Sequence, residues 1–587
     1  MLKSISSPRR LLHLLLTTCI AAIAACSGGD GGGTANAAGT PDGGVGTPQA
    51  TLTLRVQVSG SGTVSSAPAG LACATDCSSS FVQNSAVTLA ATPATGFSFA
   101  GWSGAGCRGM STCAITLSAN TTAQALFTAT PALPTGSGKS FYVDPAGSDN
   151  NNGTSTTTPF RTVARAVSMV NPGDIIEVRA GTYIETLTIG RPGSSSAWIT
   201  IRGYAGDARP IIKSTGSLPT IWFYTNACDE SNLADPTGNT DCQAMYWVVQ
   251  NLEIQGSPNG GADGNVIKID TPKVRVISNK LCYAKVDIVK LVKTSNDVEI
   301  LNNEICHDNN VITPTGYSSN AGSNATNAQG VDMVGADRVR VVGNYVHDMP
   351  DIGIYAKGNA RNVVFEGNVL SNIGAHAIMV GQQTDADRMV DGPYETYDMM
   401  VRNNVVINAG WACVAVTSSK NAKVYNNSCY NTGTSVHGSI FLSNEAEVPQ
   451  RNTNVEIVNN IIYGSAANPV IKIDSGDVID FSTLTIDRNI YYVTGGAPKV
   501  TADSQGLILA SMATWLAKYT TLTGGKLDSS LVVDPQFAST SPTSSPLTLK
   551  STSPAINKGR SNIYVTQDRL GTARPQGAAV DIGAYEY

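Results

Sequence analysis

Val274-Arg275-Val276-Ile277-Ser278-Asn279 is answered by Val298-Glu299-Ile300-Leu301-Asn302-Asn303, Val339-Arg340-Val341-Val342-Gly343-Asn344 and Val363-Val364-Phe365-Glu366-Gly367-Asn368. Each is a short run rich in β-branched residues that ends in an asparagine, and further copies close at Asn404, Asn427 and Asn460. The marker asparagines 279, 303, 344, 368, 404, 427 and 460 fall 24, 41, 24, 36, 23 and 33 residues apart, a base period near 24 with insertions in some turns. That period is too short for the common helical repeats, and the repeated segments show no helical periodicity. A coil of three short strands and three turns needs about this many residues, and stacked coils repeat at the interstrand spacing of ~4.8 Å. Equivalent asparagines then form a ladder, because one amide is both donor and acceptor and suits turns that tolerate left-handed backbone. The repeat therefore predicts an all-β chain dominated by a parallel β-helix, a solenoid.

Composition agrees. Of 587 residues 58 are Gly, 14% are charged and 6% are aromatic, as expected of a turn-rich chain with a Val, Ile and Leu core. The net charge of −5 offers no basic surface and excludes a nucleic-acid partner. Cys282 and Cys306 each lie three residues after a marker asparagine, so they should stack on neighbouring coils, as a disulfide or as two buried thiols. Cys413 with Cys429, and Cys228 with Cys242, are the other candidate pairs in this region. No Cys-x-x-Cys and no histidine at zinc spacing occurs, which argues against zinc.

Ahead of the repeat, residues 51–130 differ in kind. Thr51-Leu52-Thr53-Leu54-Arg55-Val56-Gln57-Val58 alternates with period two, a half-buried strand. Cys73, Cys77, Cys107 and Cys113 fall in two close pairs, and between them lies Phe97-Ser98-Phe99-Ala100-Gly101-Trp102-Ser103-Gly104. The block resembles the divergent internalin-type B-repeat of bacterial surface proteins, which implies a spacer or a carbohydrate contact through Trp102. Residues 131–139 read as a linker, and 140–587 as the solenoid. At the other end Lys3, Arg9 and Arg10 precede an apolar run, Leu11 to Ala25, that is too short to span a membrane and reads as a signal peptide (1–25). Ile23-Ala24-Ala25-Cys26 resembles a bacterial lipobox, which implies lipidation of Cys26, a flexible tether over 26–50 and an outer-membrane or cell-surface lipoprotein. A monomer is expected.

The opening of the solenoid carries Phe141-Tyr142-Val143-Asp144-Pro145, Thr158-Pro159-Phe160-Arg161-Thr162, Pro172-Gly173-Asp174 and Arg179-Ala180-Gly181-Thr182-Tyr183. It resembles the first coils of right-handed β-helix polysaccharide lyases, and the resemblance implies a capping helix over Thr162 to Met169. Asp581 to Tyr587 is expected to close the far end.

A solenoid offers a long groove for a linear polysaccharide. Four clusters precede the marker asparagines by 11 to 16 residues and so should share one face: Asp263 to Lys268, Asp287-Ile288-Val289-Lys290, Gln329-Gly330-Val331-Asp332 and Gly353-Ile354-Tyr355-Ala356-Lys357-Gly358. Acids and lysines on neighbouring coils suit uronic-acid chemistry. A divalent cation on carboxylates can draw charge from the substrate carboxylate, and a neutral lysine can take the C5 proton.

These clusters resemble family 9 polysaccharide lyases, calcium-dependent pectate lyases with a lysine base. The resemblance covers about residues 140–430 and implies Asp287 and Asp332 as Ca2+ ligands and Lys357 as the base, with Lys290 a second catalytic lysine. Where the family has paired acids this chain has Ala328 and Gln329, so Asp263 is the candidate replacement ligand. Tyr355, His376, Arg388 and Arg402 are candidate substrate contacts. Tyr394, Tyr397 and Trp411 either stack on sugars or pack the protein, and His307-Asp308 and His347-Asp348 are turn pairs or acid/base pairs. The aspartates also fit turn capping. Three functions follow: a lyase cleaving an acidic polysaccharide by calcium-assisted β-elimination, a glycoside hydrolase using Asp263, Asp287 and Asp332, or a non-enzymatic glycan-binding adhesin.

Overall fold

The computed structural model describes residues 50–587 except 95–96, 108–111, 130–137, 226–244, 258–263, 285, 308–311, 314–315, 318–327, 383, 385–388, 390, 446–448, 542–545 and 563. Cys26, Cys228, Cys242, Asp263 and Arg388 lie outside the described residues.

Residues 140–532 wind through three parallel sheets of 12 strands each, in a right-handed β-helix. The first sheet runs from Ser140–Val143 to Thr485–Asp487, the second from Thr182–Ile184 to Leu531–Val532, and the third from Leu187–Ile189 to Leu507–Ser511, whose final strand alone pairs antiparallel. Alternation of side chains across each strand builds the core as columns. On the first sheet Val249, Val276, Ile300, Val341, Phe365, Val401, Val424 and Ile457 stand in unbroken register, all buried.

The asparagine ladder is present and runs one rung further than the sequence reading, to Asn489. From Asn279 through Asn303, Asn344, Asn368, Asn404, Asn427 and Asn460, each Nδ2 donates to the next Oδ1 at 2.9–3.1 Å, and each backbone N–H donates to the same oxygen. The left-handed residue is the one before each rung: Ser278, Asn302, Gly343, Gly367, Asn403, Asn426, Asn459 and Arg488 all have φ between 53° and 68°. Gly, Asn and Ser tolerate that conformation at low cost.

Cys282 and Cys306 are joined on adjacent strands of the second sheet, and Cys413 is joined to Cys429. Val163–Met169 is the capping helix, with Thr162 as N-cap. Its first N–H groups also donate to Glu185, from Val163 at 2.9 Å and Ala164 at 2.8 Å. The other end is closed differently from expectation. The helix Met512–Leu522 plugs it, with Trp515 and Tyr519 buried in the solenoid core. Asp581 to Tyr587 instead lies along the side of the second sheet. There Ile582, Ala584 and Tyr585 pack on Val405, Ile407 and Ile461, and Arg574 forms a buried ion pair with Glu586 at 2.8 Å.

In the N-terminal domain two four-stranded sheets, with strands from Thr51–Ser59 to Thr121–Ala129, enclose one core stapled by Cys73–Cys77 and Cys107–Cys113. Trp102 is buried edge-on to Phe99 at 5.0 Å, which corrects its reading as a carbohydrate contact: the indole fills the core. Among the described residues no helix is long and apolar enough to cross a membrane.

Candidate functional site

The site is on the third sheet. Its strands Ile267–Ile269, Val289–Leu291, Val331–Val334, Ile354–Lys357 and Ile378–Val380 turn their β-branched residues inward. The residues between them point outward, so Lys268, Lys290, Asp332, Tyr355 and Met379 form one row in register. Lys357, two residues after Tyr355, projects from the same face opposite Val334. The repeat thus brings together the groups that the sequence clusters single out.

A pocket of about 250 Å³ opens here, lined by Lys290, Asp332, Asp351 and Lys357, by the amides Gln329 and Gln382, and by Ile352, Tyr355 and Trp411. Lys290 donates to Asp332 across the strands and is 3.5 Å from Asp287 one turn behind it. Both carboxylates are nearly sealed from solvent. Burial pushes Asp287 up to about 7, helped by the charge of Asp332 and opposed by Lys290. Burial works against the charge on Lys290, but Asp332 and Asp287 outweigh it and hold the ammonium above its ordinary range. Lys290 is therefore a fixed cation, not a proton acceptor.

Lys357 is placed differently. Its Nζ sits 4.7 Å from the centre of the Tyr355 ring, and among the described residues it makes no ion pair. Tyr355 is buried beneath it; burial, with the charges of Asp332 and Glu395, raises its phenol well above the usual value, so it keeps its proton. Asp351, which sequence reasoning missed, accepts from Gln329 Nε2 at 2.8 Å. Burial pushes Asp351 up to about 6 against that hydrogen bond, with Asp332 adding to the rise. Asp351 follows Pro350 in a four-residue turn that stacks on residues 374–377 and 410–413, where Ala375 and Trp411 take its place, so no repeated acid marked it. Glu395 was missed likewise, since it stacks between Asn359 and Ser418 and no acid recurs there. Fully buried, it accepts from Gly358 N (2.9 Å), Thr384 N (2.9 Å) and Thr384 Oγ1 (2.7 Å), and so fixes the turn directly after Lys357.

Other candidates are placed elsewhere. His376 does not line the pocket: its buried imidazole stacks on Phe441 and meets Trp411 edge-on at 5.0 Å. Burial, with His437 nearby, lowers it to about 3, so it is neutral, and its Nδ1 accepts from Ala412 N at 3.2 Å. It supports Trp411 and has no face for a sugar. Arg402 is on the first sheet, paired with Glu366 at 2.8 Å, and does not reach the pocket. Tyr394 and Tyr397 meet edge-on, and the hydroxyl of Tyr397 accepts from Tyr394 N at 3.2 Å; they are packing residues. His347 is on the second sheet, bonded to Asp348 at 2.8 Å and 3.5 Å from Glu304, a structural ion-pair cluster away from this face. His307 is buried at the end of Glu304–Cys306 on that same sheet, and Asp308 lies outside the described residues.

Calcium takes six to eight oxygen ligands, and among the described residues the donor set falls short of that requirement. The ammonium of Lys290 already contacts one oxygen of Asp287 and one of Asp332. The other oxygen of Asp287 accepts from Gln329 N at 3.3 Å, and the Asp351 carboxylate is bonded to the Gln329 amide. Asp332 Oδ1 is the carboxylate oxygen of Asp287 and Asp332 left without a hydrogen-bond partner.

Fold and site together define a right-handed parallel β-helix protein with a charged pocket on one sheet. Residues 141–345 match the model of the Pel9A-like right-handed β-helix region, 247–448 that of the right-handed β-helix region, and 52–131 that of the divergent InlB B-repeat domain. The matched regions thus place a Pel9A-like right-handed β-helix region after a divergent InlB B-repeat domain in the sequence. Among solved structures it is similar to pectate lyase Pel9A at 15% identity and TM-score 0.42, over 77% of this chain and 98% of that one. It is also similar to an alginate lyase from Paenibacillus sp. str. FPU-7 (16%, TM-score 0.37, 54% and 96%). A third is PfbA, a surface adhesin of Streptococcus pneumoniae (10%, TM-score 0.39, 57% and 82%). The uncharacterized protein YwoF of Bacillus subtilis (strain 168) is 42% identical over 78 residues, 13% of this chain and 16% of that protein.

Proposed function

We propose that this protein is an extracellular, surface-anchored polysaccharide lyase that cleaves a uronic-acid-containing glycan by β-elimination, with Lys357 as the base. The observation that carries this is the contrast between two lysines in one pocket: Lys290 is bound by two carboxylates, and Lys357 by none among the described residues. A base must release its proton before it can take another, and among the described residues Lys357 makes no ion pair that would have to break first. Its neutral Nζ takes the C5 proton. The C4–C5 double bond forms as the C4–O4 bond breaks, and the departing O4 takes the proton of the Tyr355 phenol. Trp411 offers a ring face for a sugar, and Gln382 an amide. The leader, Cys26 and the four disulfides among the described residues fit export to an oxidising compartment and a lipid anchor on the cell surface.

A hydrolase on the same groove has one observation in its favour. Burial raises Asp351 to about 6, and it shares the pocket with Asp332, a pair of carboxyl groups such as glycoside hydrolysis uses. Ultraviolet absorbance separates the two, since elimination alone leaves an unsaturated uronate. A panel of acidic polysaccharides should yield that absorbance with wild type and none with Lys357→Ala. Reducing ends without absorbance would transfer the assignment to Asp351 and Asp332.

A further inference from the structure

We infer that the Lys290 ammonium, seated between Asp287 and Asp332, takes the place of a divalent cation in this site and meets the substrate carboxylate with its remaining N–H. The substrate part of this inference rests on the lyase reading; the metal part does not.

Three facts place the ammonium there. Lys290 contacts Asp332, its in-register neighbour on the next coil, and lies 3.5 Å from Asp287, one turn behind on its own coil. These are the two carboxylates that would have to hold an ion. An ammonium has three donors and no acceptor. Two are directed to Asp287 and Asp332, while about a fifth of the side chain (22%) opens on the pocket. Finally, among the described residues the positions that would complete an acidic cage are Ala328, which is buried, and Gln329, whose amide is bonded to Asp351. A cation at this place would share its two carboxylates with a buried positive charge, which like-charge repulsion at low dielectric forbids.

The lysine also does chemically what the ion would do. A fixed positive charge beside the uronate carboxylate stabilises the enolate-like charge that develops when C5 loses its proton. Being set in place by two carboxylates before substrate arrives, it needs no reorganisation. The proton count is unaffected: Lys290 keeps its protons, and Lys357 takes the one from C5.

The test is calcium binding in the absence of any glycan, so a failure of the lyase assignment leaves it intact. Melting temperature and isothermal calorimetry are measured with calcium chloride and with chelator for wild type, Lys290→Met, Lys290→Arg, Asp332→Asn and the double variant Lys290→Met/Asp332→Asn. Wild type and Lys290→Arg should show no calcium effect. Lys290→Met, with two carboxylates freed, should gain a calcium-dependent rise in melting temperature that the double variant lacks. Circular dichroism verifies that each variant is folded. Calcium stabilisation of wild type that Asp332→Asn abolishes would overturn the inference, as would a folded Lys290→Met as indifferent to calcium as wild type.

Discussion

Asn404 sits inside the ladder with all its capacity used. It accepts from Asn368 N (3.0 Å) and Asn368 Nδ2 (2.9 Å), and donates to Phe365 O (2.9 Å) and Asn427 Oδ1 (2.9 Å). Asn404→Ala removes all four bonds, but their costs differ. The Asn368 amide still reaches Val341 O at 2.9 Å, and Asn427 Oδ1 still accepts from the backbone of residue 404. The backbone N–H of Asn368 loses its partner in a place sealed from water. An orphaned buried donor costs ~2 kcal/mol and the remaining lost bonds together ~1 kcal/mol net, so the expected loss is about 3 kcal/mol. The matched control is Asn454→Gly, which deletes an exposed amide contact to Asn421 (2.9 Å) at a left-handed position (φ 54°). It should stay within about 1 kcal/mol of wild type. Urea unfolding followed by circular dichroism, read as a shift in midpoint at unchanged slope, makes the comparison. If Asn404→Ala unfolds at the same urea concentration as Asn454→Gly, the ladder is ornament to the coil and the argument from buried amides fails.

Three further outcomes follow from the same structure. Asp351, ordinarily near 3.8 and here about 6, is protonated in the folded state where the unfolded chain has ionised, so its contribution falls as pH rises through that window. Asp351→Asn should therefore stabilise the protein at pH 8 by about 3 kcal/mol and leave it nearly unchanged at pH 4; an equal gain at both pH values would contradict the assigned cause. Arg574→Met strands the buried carboxylate of Glu586 and should cost ~3–5 kcal/mol, with proteolysis beginning at the segment after residue 560; uniform resistance of that segment would show that the pair is not what holds it. Trp411→Ala should raise KM about fivefold with kcat little changed, the effect of losing ~1 kcal/mol of ring stacking, and a loss in kcat alone would place Trp411 in support of the catalytic turn instead.

The architecture was legible because the same amide must repeat wherever coils stack. The Asn ladder, the three sheets and the Cys282–Cys306 stack all follow from a period near 24. Lys290, Asp332, Tyr355 and Lys357 were legible as a set, since similar offsets from a ladder rung, 11 to 13 residues, put them on one face. Their partners were not. Residue type at Lys290 does not say whether its ammonium faces solvent or two carboxylates, and only the register across Val289–Leu291 and Val331–Val334 decides it. Asp351 stacks on Ala375 and Glu395 on Ser418, so no acid recurs at their positions and the repeat does not single them out. Asp581 to Tyr587 was assigned to the far end because it ends the sequence, whereas its apolar residues match the side of the second sheet. Trp102 went to the core because a small domain has few other large side chains with which to fill it.

The central claim is that Lys357 removes a proton. The most direct test follows ultraviolet absorbance during digestion of acidic polysaccharides by wild type, Lys357→Ala and Lys357→Arg. Arginine keeps the charge but cannot serve as a base, because its guanidinium does not deprotonate in proteins. The account predicts rising absorbance with wild type and none with either variant; activity in Lys357→Arg near that of wild type would contradict it and leave Lys357 a binding charge.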